Sequence, residues 1–378
     1  MSLVNRVIPY LGNQGLEFRH DHFIFTFKKF DDAEYFYIDF LLGKHLVLLK
    51  DAIPKSVIEK IKTKEVVLIL NNCHESFHHV VDGIYQHAVL GLGLSPSQII
   101  LYSESADIKQ EVESVAKRLN LEQIKCEWIR IFEYGIQQQA IHGPEYKNPI
   151  TLEIKDYPKK FLNFNRRWRP HRPALVAFLA CHNLLDLGHV SLALSDDNTD
   201  WQKIWPGLID IHKNALEELN TLLSNRDNIL NIPPLYLDRK DLEVNHVTLL
   251  PSTNQYYRDT YFSVVSETNY YNYLDPGRFL SEKVFKPIVH QHPFIILSRP
   301  GCLAALQSIG YKTFNGLIDE SYDQETDDIK RMGMIVQEVK RLCELDTKSL
   351  NNFLIESKKI CLDNYNTLMN KTKFLTKL

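Results

Sequence analysis

The sequence predicts an α/β protein with two Rossmann-like domains that face a cleft. Short apolar, β-branched runs alternate with segments of helical periodicity from Glu65 onward, which is typical of parallel sheets covered by helices. The alternation fades between residues 137 and 158 and then resumes. The chain has 378 residues, which is long enough for two domains of ordinary size.

The N-terminal half is aromatic-rich at first and becomes regular after Glu65. In the first fifty residues, alternation predicts a strand at residues 23–27, and residues 35–42 and 45–49 favour two more. Further strands are predicted at residues 66–70, 99–102 and 126–132, and helices over residues 80–92 and 107–119.

The C-terminal half is predicted to begin after a linker at residues 137–158, where Gly-Pro, Asn-Pro and Tyr-Pro pairs accumulate. We therefore predict domains at residues 1–155 and 156–348, followed by a final helical segment at residues 349–378. The predicted strands are residues 161–164, 190–194, 261–265 and 294–297, and the predicted helices are residues 173–185, 204–223, 278–291, 329–345 and 349–368.

The composition is that of a soluble globular protein, with 44% hydrophobic and 24% charged residues. A net charge of −3 gives no strong signal for nucleic-acid binding. No apolar run is long enough for a membrane span, and no signal-peptide core follows Met1. The six cysteines are scattered without a CxxC pair, which favours reduced thiols and a cytoplasmic location. The basic, apolar tail from Lys371 leaves a peripheral membrane contact open.

The segment Ser281-Glu282-Lys283 is predicted to start a helix shortly after a buried strand. Unpaired N–H groups and the dipole make a helix N-terminus a site for anions. A lysine there adds a charge that holds a diphosphate, and a neighbouring carboxylate accepts hydrogen bonds from the two hydroxyls of a ribose. This arrangement suits a nucleoside diphosphate, although an ordinary first-turn glutamate beside a surface lysine has the same spacing.

The run Ser-Glu-Lys-Val-Phe-Lys-Pro-Ile from Ser281, followed by His-Pro-Phe-Ile-Ile and Pro-Gly, resembles the donor-binding segment of GT-B type glycosyltransferases. It is most similar to the Thr-Glu-Lys segment of the α1,3-fucosyltransferase group and of exostosin-like enzymes, with Ser281 in place of the usual threonine. The resemblance implies that Glu282 binds the ribose and Lys283 the diphosphate. We add Lys286 of the same segment and Glu267, at the end of the preceding strand, to the predicted donor site.

A strongly basic turn at residues 165–172 lies between a predicted strand and a helix. Arginines crowded in such a turn either bind an anion through their fork geometry or form a solvated loop, and spacing alone leaves both open. In the fucosyltransferase-like group an arginine of the matching loop lies opposite the lysine across the donor diphosphate. The resemblance makes Arg172 or Arg166 the best candidate for this arginine, and Arg169 of the same turn is included with them in the predicted donor site. The strand-turn-helix lacks the glycine patterns of dehydrogenases and P-loop enzymes.

Polar groups at the predicted strand ends of the N-terminal half are candidates for acid–base catalysis, because ligands of parallel sheets bind beyond the carboxyl ends of the strands. We predict His74, Glu75 and Glu104 as candidates for the base that removes a proton from an acceptor hydroxyl. Glu133 and Tyr134 follow the strand predicted at residues 126–132 and form another polar strand end.

Two other functional classes stay open. His74, Glu75 and His78 match the H-E-x-x-H pattern of zinc hydrolases, but a strand up to residue 72 places His74 in a loop or a first helical turn. Asp196 and Asp197 form an acidic pair of the kind that holds a divalent metal in GT-A enzymes, but we predict no metal site there. A non-catalytic protein that binds nucleotides or glycans is the other alternative.

The function predicted from the sequence is transfer of a sugar from a nucleotide-diphosphate sugar to an acceptor hydroxyl. We expect the acceptor to be a glycan, as in polysaccharide biosynthesis. The family resemblance implies a metal-independent and inverting reaction, with no cofactor beyond the donor. It also implies that the N-terminal domain binds the acceptor and that the final helix packs back on that domain.

Overall fold

The structure is a computed structural model, and the ranges it describes cover most of the chain. The backbone alone is described for residues 18–20, 23–30 and 33–40. Backbone and side chains are described for residues 53, 55–72, 80–143, 146, 154–166, 168–192, 200–237, 249–272 and 277–372.

The chain divides into two compact units. The N-terminal unit draws its described residues from Met1–Ile131, Tyr273–Phe279 and Thr372–Leu378. The C-terminal unit draws them from Phe132–Asn272 and Leu280–Lys371. Each unit contains a sheet with parallel strands connected through helices, so the predicted α/β class with two Rossmann-like domains is confirmed. The predicted domain limits at residues 155 and 348 stay predictions.

The sheet of the N-terminal unit has six strands among the described residues, in the order β1-β2-β3-β4-β5-β6. The first three pair antiparallel and the last four pair parallel, so β3 belongs to both parts of the sheet. The strands are β1 (Phe18–His20), β2 (Phe23–Phe30), β3 (Ala33–Phe40), β4 (Val66–Asn72), β5 (Ile99–Ser103) and β6 (Lys125–Trp128). The strand predicted at residues 45–49 lies outside the described residues.

Among the described residues, three helices of the N-terminal unit connect or flank the parallel strands. They are α1 (Lys55–Lys62), α2 (Val80–Ile84), which continues as a π-helical segment (Tyr85–Gly91), and α3 (Ile108–Leu119). α3 buries Ile108, Val112 and Val115 at helical spacing. It ends at Asn120, whose φ of 53° is left-handed and common for asparagine at a helix end.

The sequence did not predict the helix α4 (Ile131–His142), because Ile129, Ile131 and Phe132 favour a strand and were assigned to one. The strand ends at Trp128, and the backbone N–H of Ile131 donates to Glu104 Oε1 at 2.5 Å, where it starts the helix. Glu133 and Tyr134 therefore lie on α4 and not at the end of a strand, which corrects the prediction. The carboxylate of Glu104 therefore determines where α4 begins.

The sheet of the C-terminal unit is parallel throughout, in the order β10-β9-β7-β8. Its strands are β7 (Phe161–Asn163), β8 (Gly188–Val190), β9 (Phe262–Ser266) and β10 (Phe294–Leu297). β9 and β10 are buried along their full lengths, as expected of parallel strands covered on both faces. A side chain on Gly188 would collide with the ring of Phe161, because its Cβ would lie 2.5 Å from that ring.

Helices flank this sheet. They are α5 (His171–Cys181), α6 (Trp201–His212), α7 (Leu216–Ser224), α8 (Arg226–Leu230), α9 (Asn254–Arg258), α10 (Glu282–Val289), α11 (Cys302–Ser308), α12 (Asp328–Glu344) and α13 (Thr347–Met369). α10 begins at Glu282, four residues later than predicted, because Ser281 caps it and residues 277–279 pair with a loop of the N-terminal unit instead. In the part of the chain that the structure describes, no helix is long and apolar enough to cross a membrane.

The last helix, α13, is held within the C-terminal unit. It packs against α10, and Gln137 of α4 donates from Nε2 to the carbonyls of Leu368 and Lys371 at 2.8 and 2.7 Å. Lys371 Nζ lies 2.8 Å from Glu133 Oε1, which is fully buried and also accepts from Tyr311 Oη at 2.6 Å. Glu133 thus pairs with a buried cation and has a structural role.

Two histidines next to the sheet of the C-terminal unit are buried in their neutral form. His290 stacks on Tyr257 with ring centroids 4.0 Å apart, and His292 bonds Ser263 Oγ and the Thr260 carbonyl at 2.8 and 2.9 Å. Burial lowers the pKa of His290 to about 3 and that of His292 to about 4. Because both values lie below that of an unfolded histidine, their contribution to stability is complete above about pH 6.5 and is lost as the pH falls.

We expect the free energy of unfolding to fall between pH 6.5 and pH 5, by up to about 1.4 kcal/mol per pH unit for each such histidine. His290→Phe retains the stacking on Tyr257 and cannot be protonated. The pH dependence of its free energy of unfolding should therefore be smaller than that of the wild type by the contribution of one histidine. Urea unfolding of both proteins at pH 7.5, 6.5 and 5 measures the difference. Equal pH dependence in the two proteins would contradict the buried neutral state of His290.

Candidate functional site

The candidate site lies where β9 ends in the C-terminal unit. Two helices begin there, and both are fastened to Glu267, the residue that follows the strand. The Glu267 carbonyl is 2.9 Å from His171 Nε2 at the start of α5, and its carboxylate accepts from the Ser281 N–H at 3.1 Å just before α10. The starts of α5 and α10 therefore meet at the carboxyl end of one central strand, the usual ligand-binding position of parallel sheets.

Lys283 lies in the first turn of α10, as predicted. Its ammonium group is 2.9 Å from Glu282 Oε1, 3.0 Å from Ser281 Oγ and 3.2 Å from Thr268 Oγ1. The side chain is 25% exposed, so the charge lies near the surface and is held by two hydroxyls and one carboxylate. The hydroxyls orient the ammonium, and the Glu282 carboxylate pairs with its charge.

Glu282 is the first residue of α10 and is almost wholly buried, with 4% of its side chain exposed. Burial alone would raise its pKa, but the charges of Lys283 and Lys286 and hydrogen bonds from its surroundings outweigh that effect and lower the pKa. The carboxylate is therefore ionised at neutral pH, and its position at a helix N-terminus favours that charge.

Glu267 is fully buried and takes part in three hydrogen bonds through its carboxylate. Oε1 accepts from the Ser281 N–H, and Oε2 accepts from Ser281 Oγ at 2.5 Å and from the Thr268 N–H at 3.1 Å. Burial raises its pKa, and the nearby charge of Lys283 and the hydroxyl of Ser281 act against that rise. The sequence placed Glu267 in contact with the donor, whereas the structure places it beneath the surface of the site.

Arg172 is the second residue of α5 and is buried at 3% exposure. Its guanidinium approaches the carbonyls of Ser266 and Glu267 at 3.4 and 3.5 Å. These contacts bring Arg172 to residues 266 and 267, directly beside Thr268, to which Lys283 donates. Two cations that are far apart in the sequence thus lie near consecutive residues at the end of one strand.

Arg166, Arg169 and Lys286 of the predicted donor set are, like Lys283, partly exposed. Arg169 Nη1 donates to the carbonyl of Trp168 at 3.1 Å. The charge of Arg169 contributes, after burial and Arg172, to lowering the pKa of His171 well below its usual value. Arg169 therefore lies on the α5 side of the site, and Trp168 beside it is 41% exposed.

The predicted catalytic residues belong to the N-terminal half of the chain. His74 and Glu75 lie outside the described residues, as does His78 of the zinc alternative. Glu104 is 1% exposed and accepts the Ile131 N–H bond that starts α4. Glu104 therefore has a structural partner, and its catalytic role stays a prediction.

Tyr270 and Tyr271, in the segment after β9, are buried at 1% and 2% exposure. The Tyr270 ring packs between His171 and the guanidinium of Arg331, at 5.3 and 4.5 Å, and its hydroxyl donates to the Asp328 carbonyl at 2.6 Å. Both rings therefore fill the protein interior and do not face a ligand in this structure. The sequence missed the role of Arg331, because an arginine in an amphipathic helix normally faces solvent.

The sequence also missed Thr268 and the hydroxyl of Ser281 as the groups that orient Lys283. Ser281 is the N-cap of α10 and accepts from the Lys283 N–H at 3.4 Å. The preference for serine at an N-cap predicts Ser281 as the capping residue. It does not predict the contact of Ser281 with the lysine ammonium, because that contact depends on how the side chains fold.

No group of three or more His, Cys, Asp or Glu residues within the described ranges is arranged to hold a metal ion. The histidines of the H-E-x-x-H pattern and the pair Asp196 and Asp197 lie outside those ranges. The described site can attract an anion through the first turn of α10 and the ammonium of Lys283, which two hydroxyls and the Glu282 carboxylate hold in place.

No protein-family model matches the chain. No curated protein sequence matches it either.

Two solved structures are similar at low identity. A UDP-forming α,α-trehalose-phosphate synthase from Burkholderia xenovorans shares 9% identity and a TM-score of 0.40, over 91% of this chain and 86% of that one. An α,α-trehalose 6-phosphate synthase from Burkholderia multivorans shares 10% identity and a TM-score of 0.35, over 83% of this chain and 71% of that one. At these scores neither similarity assigns a function to this chain.

The residues just before α10 are anchored in the N-terminal unit by a network of short contacts. Arg278 N and Nε donate to the Asp107 carboxylate at 2.8 and 2.7 Å, and Ala106 N donates to the Arg278 carbonyl at 2.9 Å. Ser105 and Phe279 form an antiparallel bridge. A Cβ on Gly277 would lie 2.2 Å from Ser105 Oγ and 2.9 Å from Glu111 Oε1, so a glycine is required there.

We expect Gly277→Ala to reduce the free energy of unfolding by about 1–3 kcal/mol, because the added methyl displaces the hydrogen-bonded side chain of Ser105. Chemical denaturation measures the change. Gly207→Ala is the matched control, because a Cβ at Gly207 in α6 would meet no atom within 4 Å. Alanine there should be neutral or stabilising by up to about 1 kcal/mol. Equal stability of the two variants would contradict the tight contact at Gly277.

Proposed function

We propose that this protein is a glycosyltransferase of GT-B type that moves a sugar from a nucleotide-diphosphate sugar to an acceptor hydroxyl. The observation that supports this best is the convergence of Lys283, Arg172 and the start of α10 on Ser266, Glu267 and Thr268 at the end of β9. Such a convergence provides positive potential where the leaving diphosphate gains charge during transfer.

Within this proposal the donor diphosphate lies against the N-terminus of α10 and the ammonium of Lys283. Glu282 is assigned to the ribose, although its burial means that it binds the ribose only after a local rearrangement exposes an oxygen. Arg166 and Arg169 are partly exposed and are the arginines available for direct contact with phosphate oxygens. Arg172 acts from beneath, through its charge and its contacts with the strand end.

The proposed acceptor is a glycan, bound by the N-terminal domain. His74, Glu75 and Glu104 stay the candidates for the base that removes its proton. The resemblance of the Ser-Glu-Lys segment to fucosyltransferase-like enzymes supports an inverting reaction without a metal, and the composition supports a cytoplasmic protein in polysaccharide biosynthesis.

Lys283→Ala should abolish sugar transfer and weaken binding of the donor nucleotide at least about tenfold, because it removes a charge-assisted contact with the diphosphate. Binding is measured by thermal shift against UDP, GDP, CMP and dTDP compounds, since a ligand of the native state raises the Tm. Trp168, the most exposed of the four tryptophans, offers a second readout through quenching of its fluorescence.

The control is Lys213→Ala, which removes an exposed lysine at the end of α6, paired only with exposed Asp210 among the described residues. It should bind and transfer as the wild type does. Full activity of Lys283→Ala would overturn the proposed site. Binding without transfer in the wild type, over a panel of nucleotide sugars and glycans, would favour the non-catalytic alternative. One equivalent of zinc in the purified protein, lost in His74→Ala, would favour the hydrolase.

A further inference from the structure

We infer that Glu267 and Ser281 are positioning residues that aim the Lys283 ammonium at the donor diphosphate without touching the donor themselves. The inference rests on the proposed function of the Lys283 site and goes further, because it assigns Glu267 a different role from the one expected from the sequence. It follows from a chain of hydrogen bonds that runs from a fully buried carboxylate through one hydroxyl to one ammonium.

The first step is the proton of the Ser281 hydroxyl. A hydroxyl has one proton to donate, and Ser281 Oγ lies 2.5 Å from Glu267 Oε2, which has only acceptor sites when ionised. The proton of Ser281 therefore points at Glu267. The lone pairs of Oγ are left to face the other way.

The second step is what those lone pairs accept. Lys283 Nζ lies 3.0 Å from Ser281 Oγ, and the Lys283 N–H lies 3.4 Å from it. An ammonium has no acceptor site, so it binds the hydroxyl only when the hydroxyl proton is turned away. Glu267 thus sets the orientation of Ser281 that Lys283 needs.

The third step concerns the backbone around the ammonium. The other two donors to Glu267 are the N–H groups of Ser281 and Thr268, so the carboxylate holds together the two segments that carry the hydroxyl acceptors of Lys283. Thr268 Oγ1, the second of these acceptors, lies 3.2 Å from Nζ. Loss of the carboxylate would release both segments at once.

Neither positioning residue is exposed to a ligand in this structure. Glu267 is 0% exposed and Ser281 is 1% exposed, whereas the side chain of Lys283 is 25% exposed. Of the three, only Lys283 reaches the surface. A change at Glu267 or Ser281 therefore acts on a ligand through Lys283.

The test compares Ser281→Ala with Ser281→Thr. Alanine removes the hydroxyl that links Glu267 to Lys283, and threonine restores it. We expect Ser281→Ala to weaken binding of the diphosphates UDP and GDP, whichever the wild type binds, by about tenfold. Binding of the matching nucleoside, uridine or guanosine, should not change, because it lacks the group that Lys283 contacts. Ser281→Thr should bind both ligands as the wild type does.

The loss of an N-cap lowers stability whatever the ligand, so stability alone does not test the inference. Asp200→Ala is the matched control, because Asp200 caps α6 and accepts the Gln202 N–H at 3.0 Å. It should lower the Tm by an amount comparable to Ser281→Ala and leave the preference for diphosphate over nucleoside unchanged.

Glu267→Gln provides a second variant. An amide replaces one of the two oxygens that accept hydrogen bonds, so one donor faces another donor. We expect a similar loss of diphosphate preference, with the KM for the donor raised more than kcat is lowered. If this variant fails to fold, Ser281→Ala decides alone.

The outcomes separate this inference from the proposed function. If Lys283→Ala binds diphosphates as the wild type does, the site itself is wrong and the positioning roles fall with it. If Lys283→Ala loses binding but Ser281→Ala retains the full preference for diphosphate over nucleoside, the proposed function stands and the positioning roles are overturned.

Discussion

The arrangement of the site depends on the hydrogen bonds of one residue, Glu267. Its carbonyl holds His171 at the start of α5, and its carboxylate holds Ser281 at the start of α10. Two helices that begin about a hundred residues apart in the chain are therefore fastened to the same position after β9. The end of one central strand therefore holds the starts of both helices.

The burial of that carboxylate has an energetic consequence. An isolated ionised carboxylate in the interior costs several kcal/mol, and only hydrogen bonds and a nearby cation offset this cost. Glu267 accepts three hydrogen bonds and lies close to Lys283, whose charge opposes the rise in its pKa that burial causes. Removal of Lys283 or of the Ser281 hydroxyl would leave this buried charge with fewer compensating partners, so both side chains are coupled to the stability of the site as well as to its charge.

The sequence predicted the features of the site that depend on local pattern. The strands around Val264 and Ile295 and the place of Glu282 and Lys283 in a first helical turn follow from periodicity and capping, and the structure contains them. The start of α4 at Ile131 and the burial of Tyr270 were not predictable, because each depends on a partner distant in the sequence: Glu104 for the helix and Arg331 for the ring. Burial of Glu267 belongs to the same class, since a glutamate at a strand end is normally solvated.

Arg172 and Lys283 have different roles in the site. Arg172 is 3% exposed, and its guanidinium faces backbone carbonyls. It therefore supplies charge and holds the strand end, but it is not placed to contact a ligand directly. The ammonium of Lys283 is held by two hydroxyls and pairs with the Glu282 carboxylate, and its side chain is 25% exposed. Because an arginine is always protonated, Arg172 keeps its positive charge beneath the site at every working pH. Glu282 offsets part of the lysine charge, whereas the hydroxyls orient the ammonium without adding negative charge, so the charge of Arg172 contributes to the positive potential that attracts an anion.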